Sequence, residues 1–269
     1  MNCRDYYLDT DKRTHIMGVL NVTPDSFSDG GCYLKPDSAV KRGIEMVNEG
    51  ADIIDIGGES TRPGHQPVDT EEEIKRVIPV IEALSGKIKA PISIDTSKSA
   101  VAEKAMQAGA SIVNDVWGLQ RDKNIAGVVS RYKAGVVMMH NKTDTRYADI
   151  IEEILAFLNE SINIAQNAGI EKSSMAIDPG IGFGKTAQQN LLVMKRLEEL
   201  KVLNIPVLIG TSRKSMIGYV LDLPVEQRME GTSATIALAI SKGAKIVRVH
   251  DVREMSRVVR MTDAILSAS

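Results

Sequence analysis

Seven polar side chains fall at or just past the ends of short apolar runs, where they could do chemistry together: Asn21, Asp95, Asn114, Asp178, Lys214, Arg248 and His250. Asp178 stands in Met175-Ala176-Ile177-Asp178-Pro179-Gly180, and the rigid Pro179 turn fixes its carboxylate toward a ligand with paired donors. Asn114 carries both a donor and an acceptor and can read a neighbouring ligand edge. Asp95 ends Ile92-Ser93-Ile94-Asp95-Thr96, and a fixed carboxylate there stabilises a developing cation without reorganisation. A helix-capping role for Asp95 stays open, because helix-forming residues follow Ser97. Lys214, in Gly210-Thr211-Ser212-Arg213-Lys214-Ser215, can donate to a ring carbonyl, whereas Arg213 is expected to face solvent or a neighbouring subunit. Arg248 and His250 offer adjacent donors for a diphosphate, to which a guanidinium fork is well matched. Asn21 supplies an amide oxygen suited to Mg²⁺ held mostly by phosphate oxygens and water.

Other chemistries fit poorly. The run Gly180-Ile181-Gly182-Phe183-Gly184-Lys185-Thr186 looks like a phosphate-binding P-loop, but the first glycine of that motif would fall at Pro179. His15, His65 and His140 lack ligand spacing with one another or with the cysteines, so zinc is not expected. The hydroxyls of Thr61 and Ser215 have no evident base. A purely structural polar plug, with Asp178 paired to Arg248 or Lys214, is the competing reading. Against it stand two polar loops after the first two runs, Asn21 to Gly31 and Asp55 to Gly64. Such loops on a rigid scaffold are a usual place for recognition and catalysis.

The elements that must carry these residues recur with a regular beat. Apolar runs rich in Ile and Val lie at 15–22, 52–58, 91–96, 111–116, 135–140, 175–180, 206–212 and 246–251. Their composition predicts strands buried on both faces. Helical spacing fills the gaps, as at 38–47, 71–84 and 148–168, with Asp37, Asp69 and Ser97 as candidate N-caps and Gly50, Gly109 and Gly169 closing helices. Eight β-then-α units in 269 residues predict a single (β/α)8 TIM barrel, one domain over 1–269 with its core at about 15–267. A doubly wound sheet would usually carry a glycine fingerprint after its first strand, and none is present. Polar residues then crowd the C-terminal strand ends, the active-site face of barrel enzymes. Side chains alternate along a strand, so Arg248 and His250 share the face toward the barrel mouth while Val247 and Val249 face the helices.

Bulk properties narrow the class. The chain is 43% hydrophobic and 25% charged, with a formal net charge of −2, which leaves no electrostatic footprint for nucleic acid or anionic membrane. Two cysteines, Cys3 and Cys32, both expected in loops, are too few for a disulfide framework and read as reduced thiols. The polar N-terminus lacks an apolar signal region, and no run approaches the ~20 residues of a membrane span, so a cytoplasmic location is expected. The stretch 233–240 fits a helix buried on more than one side, though core packing explains it as well.

Asn21-Val22-Thr23-Pro24-Asp25-Ser26-Phe27-Ser28-Asp29-Gly30-Gly31 and Asp55-Ile56-Gly57-Gly58-Glu59-Ser60-Thr61-Arg62-Pro63-Gly64, with the strand-end motifs, resemble the dihydropteroate synthase family from about Ile16 to Asp251. The resemblance implies a folate-pathway transferase, a sulfonamide target, that joins a pterin-methyl diphosphate to p-aminobenzoate and releases diphosphate. Carried over, Asn21 is the Mg²⁺ contact, and Asp95, Asn114, Asp178 and Lys214 form the pterin pocket. Arg62, Arg248 and His250 match diphosphate and loop positions. Phe27, Thr61, Pro63, Phe183 and Ser215 match positions around p-aminobenzoate. The same resemblance implies Mg²⁺ as cofactor, small-molecule substrates and a homodimer. A pterin-binding methyltransferase barrel would share the Asp-Asn-Asp pocket but lack the two long loops. A catalytically silent paralogue would be expected to lose Arg248, His250 or Lys214, all of which are present.

Overall fold

The computed structural model describes residues 1–22, 36–59 and 68–268. A short antiparallel hairpin, β1 (Asn2–Cys3) and β2 (Tyr6–Tyr7), precedes eight parallel strands. These are β3 (His15–Asn21), β4 (Ile53–Gly57), β5 (Ile92–Asp95), β6 (Ile112–Asp115), β7 (Gly135–Met139), β8 (Met175–Asp178), β9 (Val207–Ile209) and β10 (Ala244–Val249). They run in chain order around a closed barrel, and β10 pairs with β3 to complete it. The helices are α1 (Pro36–Glu49), α2 (Thr70–Ser85), α3 (Ser99–Ala108), α4 (Asn124–Tyr132), α5 (Ile150–Asn167), α6 (Ala187–Lys195), α7 (Ser215–Leu221), α8 (Met229–Ser241) and α9 (Val252–Leu266). This is the single (β/α)8 barrel that the eightfold alternation predicts.

Strand alternation explains both cores. Outward residues such as Ile54, Ile56, Val113, Val136, Ile177, Val247 and Val249 join the helices in one large apolar cluster. Inward residues Met17, Ile53, Ile112, Val137, Ala176, Leu208 and Ile246 form a separate cluster inside the barrel, closed from below by Met1, Cys3 and Leu8. Two residues further along several of these strands, the inward position turns polar: Ile53 gives way to Asp55, Ile112 to Asn114, Ala176 to Asp178 and Ile246 to Arg248. The barrel is therefore oily at its base and polar at its mouth. Each large aliphatic side chain fully buried below that boundary contributes about 1.5–3 kcal/mol, which holds the strand ends rigid under the polar layer.

Of the six helix-end signals, four hold. Asp69 caps α2 by accepting from Glu72 N at 2.8 Å. Gly50, Gly109 and Gly169 follow α1, α3 and α5 with φ of 111°, 113° and 85°. Asp37, however, lies inside the first turn of α1, where a carboxylate suits the positive end of the helix dipole. Ser97 does not cap α3, which begins at Ser99 after Lys98 with no side-chain cap. Lys98 is instead drawn to the carboxylates of Glu59 and Glu73.

Two further expectations change. Cys3 sits in strand β1 and not in a loop, and burial pushes its thiol up to about 11; Cys32 lies outside the described residues. The apolar stretch 233–240 belongs to α8, which buries Thr232, Ile236, Ala239 and Ile240 but leaves Leu238 exposed. Among the described residues, no helix is long and apolar enough to cross a membrane.

Candidate active site

Register brings the strand-end residues together. Gly57 on β4 pairs with Asn21 on β3 and with Asp95 on β5, and Asp95 pairs with Asn114 on β6. A Cβ added to Gly57 would lie 3.7 Å from both Asn21 Oδ1 and Asp95 Cβ, so these two side chains converge over the bare glycine. Asp178 ends β8, Lys214 precedes α7, and Arg248 reaches across from β10.

Arg248 organises the centre. Its Nε donates to Asp55 Oδ2 at 2.6 Å and its Nη2 donates to Asp95 Oδ2 at 2.6 Å. Asn114 Nδ2 donates to the same Asp55 oxygen at 3.1 Å. The network thus joins β4, β5, β6 and β10, and the pairing of Asp178 with Arg248 in the plug reading does not form. Burial by itself would lower the Arg248 pKa, but Asp55 and Asp95 outweigh it and hold the guanidinium charged. Burial pushes Asp95 up to about 7, with Arg248 pulling it down and Asp55 adding to the rise.

Asp178 is nearly inaccessible, and burial raises its pKa against the pull of Lys214. Its Oδ1 accepts from Gly180 N at 2.7 Å. Oδ2 has no hydrogen-bond partner among the described residues and remains available at the mouth. Lys214 donates from Nζ to the Ile181 carbonyl, and its ammonium lies 4.9 Å from the centre of the Phe183 ring. Burial pushes Lys214 down to about 8 while Asp178 resists. Phe183 and Lys214 therefore stand beside Asp178 on one side of the mouth. Ser215, the first residue of α7, is exposed.

His250 follows β10, and its Nδ1 lies 3.0 Å from Ser212 Oγ, which also accepts from His250 N at 3.2 Å. Arg213 does not point freely to solvent: it forks onto Asp251, Nε to Oδ2 at 2.9 Å and Nη2 to Oδ1 at 2.5 Å. Its φ of 58° turns the chain between β9 and α7. Phe27, Thr61, Arg62 and Pro63 lie outside the described residues.

Asp55 is the site residue that strand-end reading misses. It sits two positions below Gly57, in the middle of an apolar run, and is fully buried. The signal was its inward parity: a lone carboxylate between Ile54 and Ile56 must find a cation inside the barrel. The donor set also bears on metal binding. Asn21 offers one neutral amide oxygen, and among the described residues no group of three or more His, Cys, Asp or Glu could hold an ion. That chemistry fits Mg²⁺ brought in on phosphate oxygens and completed by water, not a protein cage.

A model of the pterin-binding enzyme family matches residues 17–250. The chain is 54% identical over 256 residues to the dihydropteroate synthase of Clostridium beijerinckii, covering 95% of each. It is 51% identical to that of Bacillus subtilis, over 95% of this chain and 90% of the relative. Among solved structures, the dihydropteroate synthase of Clostridium difficile in the presence of pteroic acid superposes with a TM-score of 0.95 at 54% identity, covering 97% of this chain and 100% of that one. The Xanthomonas albilineans enzyme in complex with 7,8-dihydropteroate gives 0.92 at 40% identity, over 99% and 98%. With its fold, its polar barrel mouth and these relatives in agreement, the chain belongs to the dihydropteroate synthases, within the pterin-binding enzymes.

Proposed function

We propose that the barrel mouth condenses 6-hydroxymethyl-7,8-dihydropterin diphosphate with p-aminobenzoate, giving 7,8-dihydropteroate and diphosphate by a dissociative displacement. The observation that carries this reading is the buried Asp178 carboxylate with one oxygen open, beside the Arg248-centred pair of carboxylates. The 2-amino and N3 edge of a pterin presents two donors, as a guanidinium does, and Asp178 is the acceptor for it. Asn114 reads the neighbouring edge, and Lys214 donates to the ring carbonyl.

Cleavage of the carbon–oxygen bond sends its electron pair to the diphosphate and leaves a pterin-methyl cation. Ring delocalisation and the Asp95 carboxylate stabilise that cation, already in place and already desolvated. Arg248 commits two N–H groups to Asp55 and Asp95, and a guanidinium has five, so donors remain for diphosphate oxygens. His250, steadied by Ser212, provides another, and Arg62 is assigned to the same group. Mg²⁺, contacted by Asn21, would neutralise charge on the leaving diphosphate when bound with it. The arylamine nitrogen then attacks the cation and loses a proton; no strong base is required. Phe27, Thr61, Pro63, Phe183 and Ser215 are assigned to the p-aminobenzoate pocket.

The protein is proposed to act in the cytoplasm as a homodimer. Exposed Tyr219, Val220, Met229, Leu238, Met261 and Ile265 on the adjoining helices α7, α8 and α9 support a face that a second copy covers. Light scattering on the purified protein tests it, and a monomeric mass at micromolar concentration would remove that part. The reaction is tested by following diphosphate release from the pterin substrate with and without p-aminobenzoate. Release coupled to dihydropteroate formation is expected. A protein that releases no diphosphate with both substrates present is not this enzyme.

A further inference from the structure

The turn between β8 and α6 is held in part by side chains that the proposed chemistry does not use. Gly180 and Gly182 have φ of 72° and 85°, and a Cβ on Gly180 would fall 1.9 Å from the His140 carbonyl oxygen. The turn is pressed against the end of β7. Nearly every backbone group in it is tied: Gly180 N to Asp178, Ile181 O to Lys214, Gly182 N to Asn190 Oδ1 at 2.7 Å, and Phe183 N to Gly180 O at 3.1 Å. Beneath it lies Lys185, only 8% exposed. Its ammonium donates to Gly180 O at 3.0 Å and Phe183 O at 3.0 Å, and sits 2.8 Å from His140 Nδ1.

We infer that Lys185 and His140 are a positioning pair: they lock the Gly180–Phe183 turn in the shape that presents Asp178 to the pterin and Phe183 to the arylamine. An ammonium has three donors and no acceptor, and here all three find partners. Burial pushes Lys185 down to about 7 against the pull of Asp178; with the amine charged, Nδ1 of His140 is the acceptor, which puts the ring proton on Nε2. Burial, with Lys185 and Lys142 nearby, pushes His140 down to about 3, so the ring stays neutral as that role requires. Phe157 packs edge-on against the ring with centroids 5.0 Å apart and fixes its plane. Lys185 bridges two carbonyls three residues apart: Gly180 O also takes Phe183 N, but among the described residues Phe183 O has only the Lys185 amine as donor, and an unpaired inward-turned carbonyl is strongly disfavoured. The same two carbonyls flank Ile181, whose oxygen takes Lys214. One buried amine thus sets the stations of Asp178, Lys214 and Phe183 together. The lysine of the apparent P-loop has its purpose here, in holding a turn and not a phosphate.

This inference rests on the assignment of Asp178 and Phe183 to the substrate pockets, and the test separates the two. Lys185→Met, His140→Leu and His140→Gln are compared with wild type and with Asp178→Asn in the full-length protein. The readouts are kcat, the KM of each substrate and the urea midpoint. Lys185→Met is expected to raise both KM values about tenfold or more, the scale of a lost charge-assisted hydrogen bond. His140→Leu should follow it, and His140→Gln, which keeps an acceptor, should recover most of the loss. A merely structural role would lower the urea midpoint and the active fraction without moving either KM. Unchanged KM values in Lys185→Met and His140→Leu, with pterin binding lost in Asp178→Asn, overturn the inference alone. Pterin binding intact in Asp178→Asn overturns the pocket assignment beneath it. Should Lys185→Met not fold, His140→Leu decides, since it leaves the ammonium its two carbonyl partners.

Discussion

Arg248 holds Asp95 through Nη2 at 2.6 Å while its Nε holds Asp55 at the same distance, so one guanidinium serves two buried carboxylates. One positive charge cannot neutralise two negative ones. Lys214 meets part of the excess, while burial, with Asp55 adding to it, raises Asp95 to about 7 even with Arg248 in contact. Removing either partner alone would strand a buried charge, which typically costs about 3–5 kcal/mol. The arrangement keeps a carboxylate desolvated and fixed at the point where the proposed cation forms.

Asp95 should therefore govern an acid limb in the pH profile. It must be ionised to stabilise a cation, so kcat/KM is expected to fall as pH drops through about 7. Asp55→Asn removes a neighbouring negative charge while keeping an acceptor for Arg248, and should move that limb to lower pH. Stability runs the other way. Between the ordinary carboxylate value and about 7, the folded protein keeps a proton that the unfolded chain has lost, so the Asp95 contribution to stability declines as pH rises through this window. A profile flat from pH 5 to 8, or a limb unmoved in Asp55→Asn, would count against this account.

Asp178→Asn is expected to abolish pterin binding with the fold intact. The substitution turns one acceptor of a paired set into a donor facing a donor, and unmatched buried polar groups cost about 1–3 kcal/mol each. Calorimetry with a pterin ligand measures it, and an affinity within threefold of wild type would mean that the ring is held elsewhere.

Much of this site is legible in the sequence because barrel strands obey a period of two. Arg248 and Asp178 lie on the faces that alternation assigns them, and the boundary between oily base and polar mouth can be counted along Ile246 to Arg248 or Ala176 to Asp178. What escaped was set by partners distant in sequence. Asp55 looks like an interruption in an apolar run until Arg248, 193 residues away, is brought to it. Ser97 carries a good capping side chain, yet the helix starts later. Arg213 reads as a surface charge until Asp251 supplies its fork. Periodicity reports which face a residue takes, not which charge will meet it there.

Mg²⁺ should matter for the diphosphate substrate and hardly at all for a pterin lacking phosphate. The expectation follows from the single amide oxygen of Asn21 and the lack, among the described residues, of an acidic cage. Titrations with and without chelator on both ligands test it. Equal metal dependence for the two would point to a structural ion site unrelated to the leaving group.

Lys98→Met should separate stability from arylamine recognition. Lys98 Nζ donates to Glu59 Oε2 at 2.5 Å, Glu73 Oε2 at 2.6 Å and Val68 O at 2.7 Å. Glu73 is 1% exposed, so losing its cation leaves a buried carboxylate uncompensated. Because Lys98 itself is a quarter exposed, with a side-chain exposure of 26%, the loss should be below the full cost of breaking a buried pair, about 2–3 kcal/mol. Glu59 and Val68 also flank residues 60–67, which include the Thr61, Arg62 and Pro63 assigned above. The KM for p-aminobenzoate should rise, and pterin affinity, set by the strand ends, should stay within about twofold. The double variant Lys98→Met with Glu73→Leu removes the stranded charge and should recover the denaturation midpoint without recovering that KM. If the double variant restores both, Lys98 serves only to neutralise Glu73, and the two anchor contacts have no part in holding the arylamine.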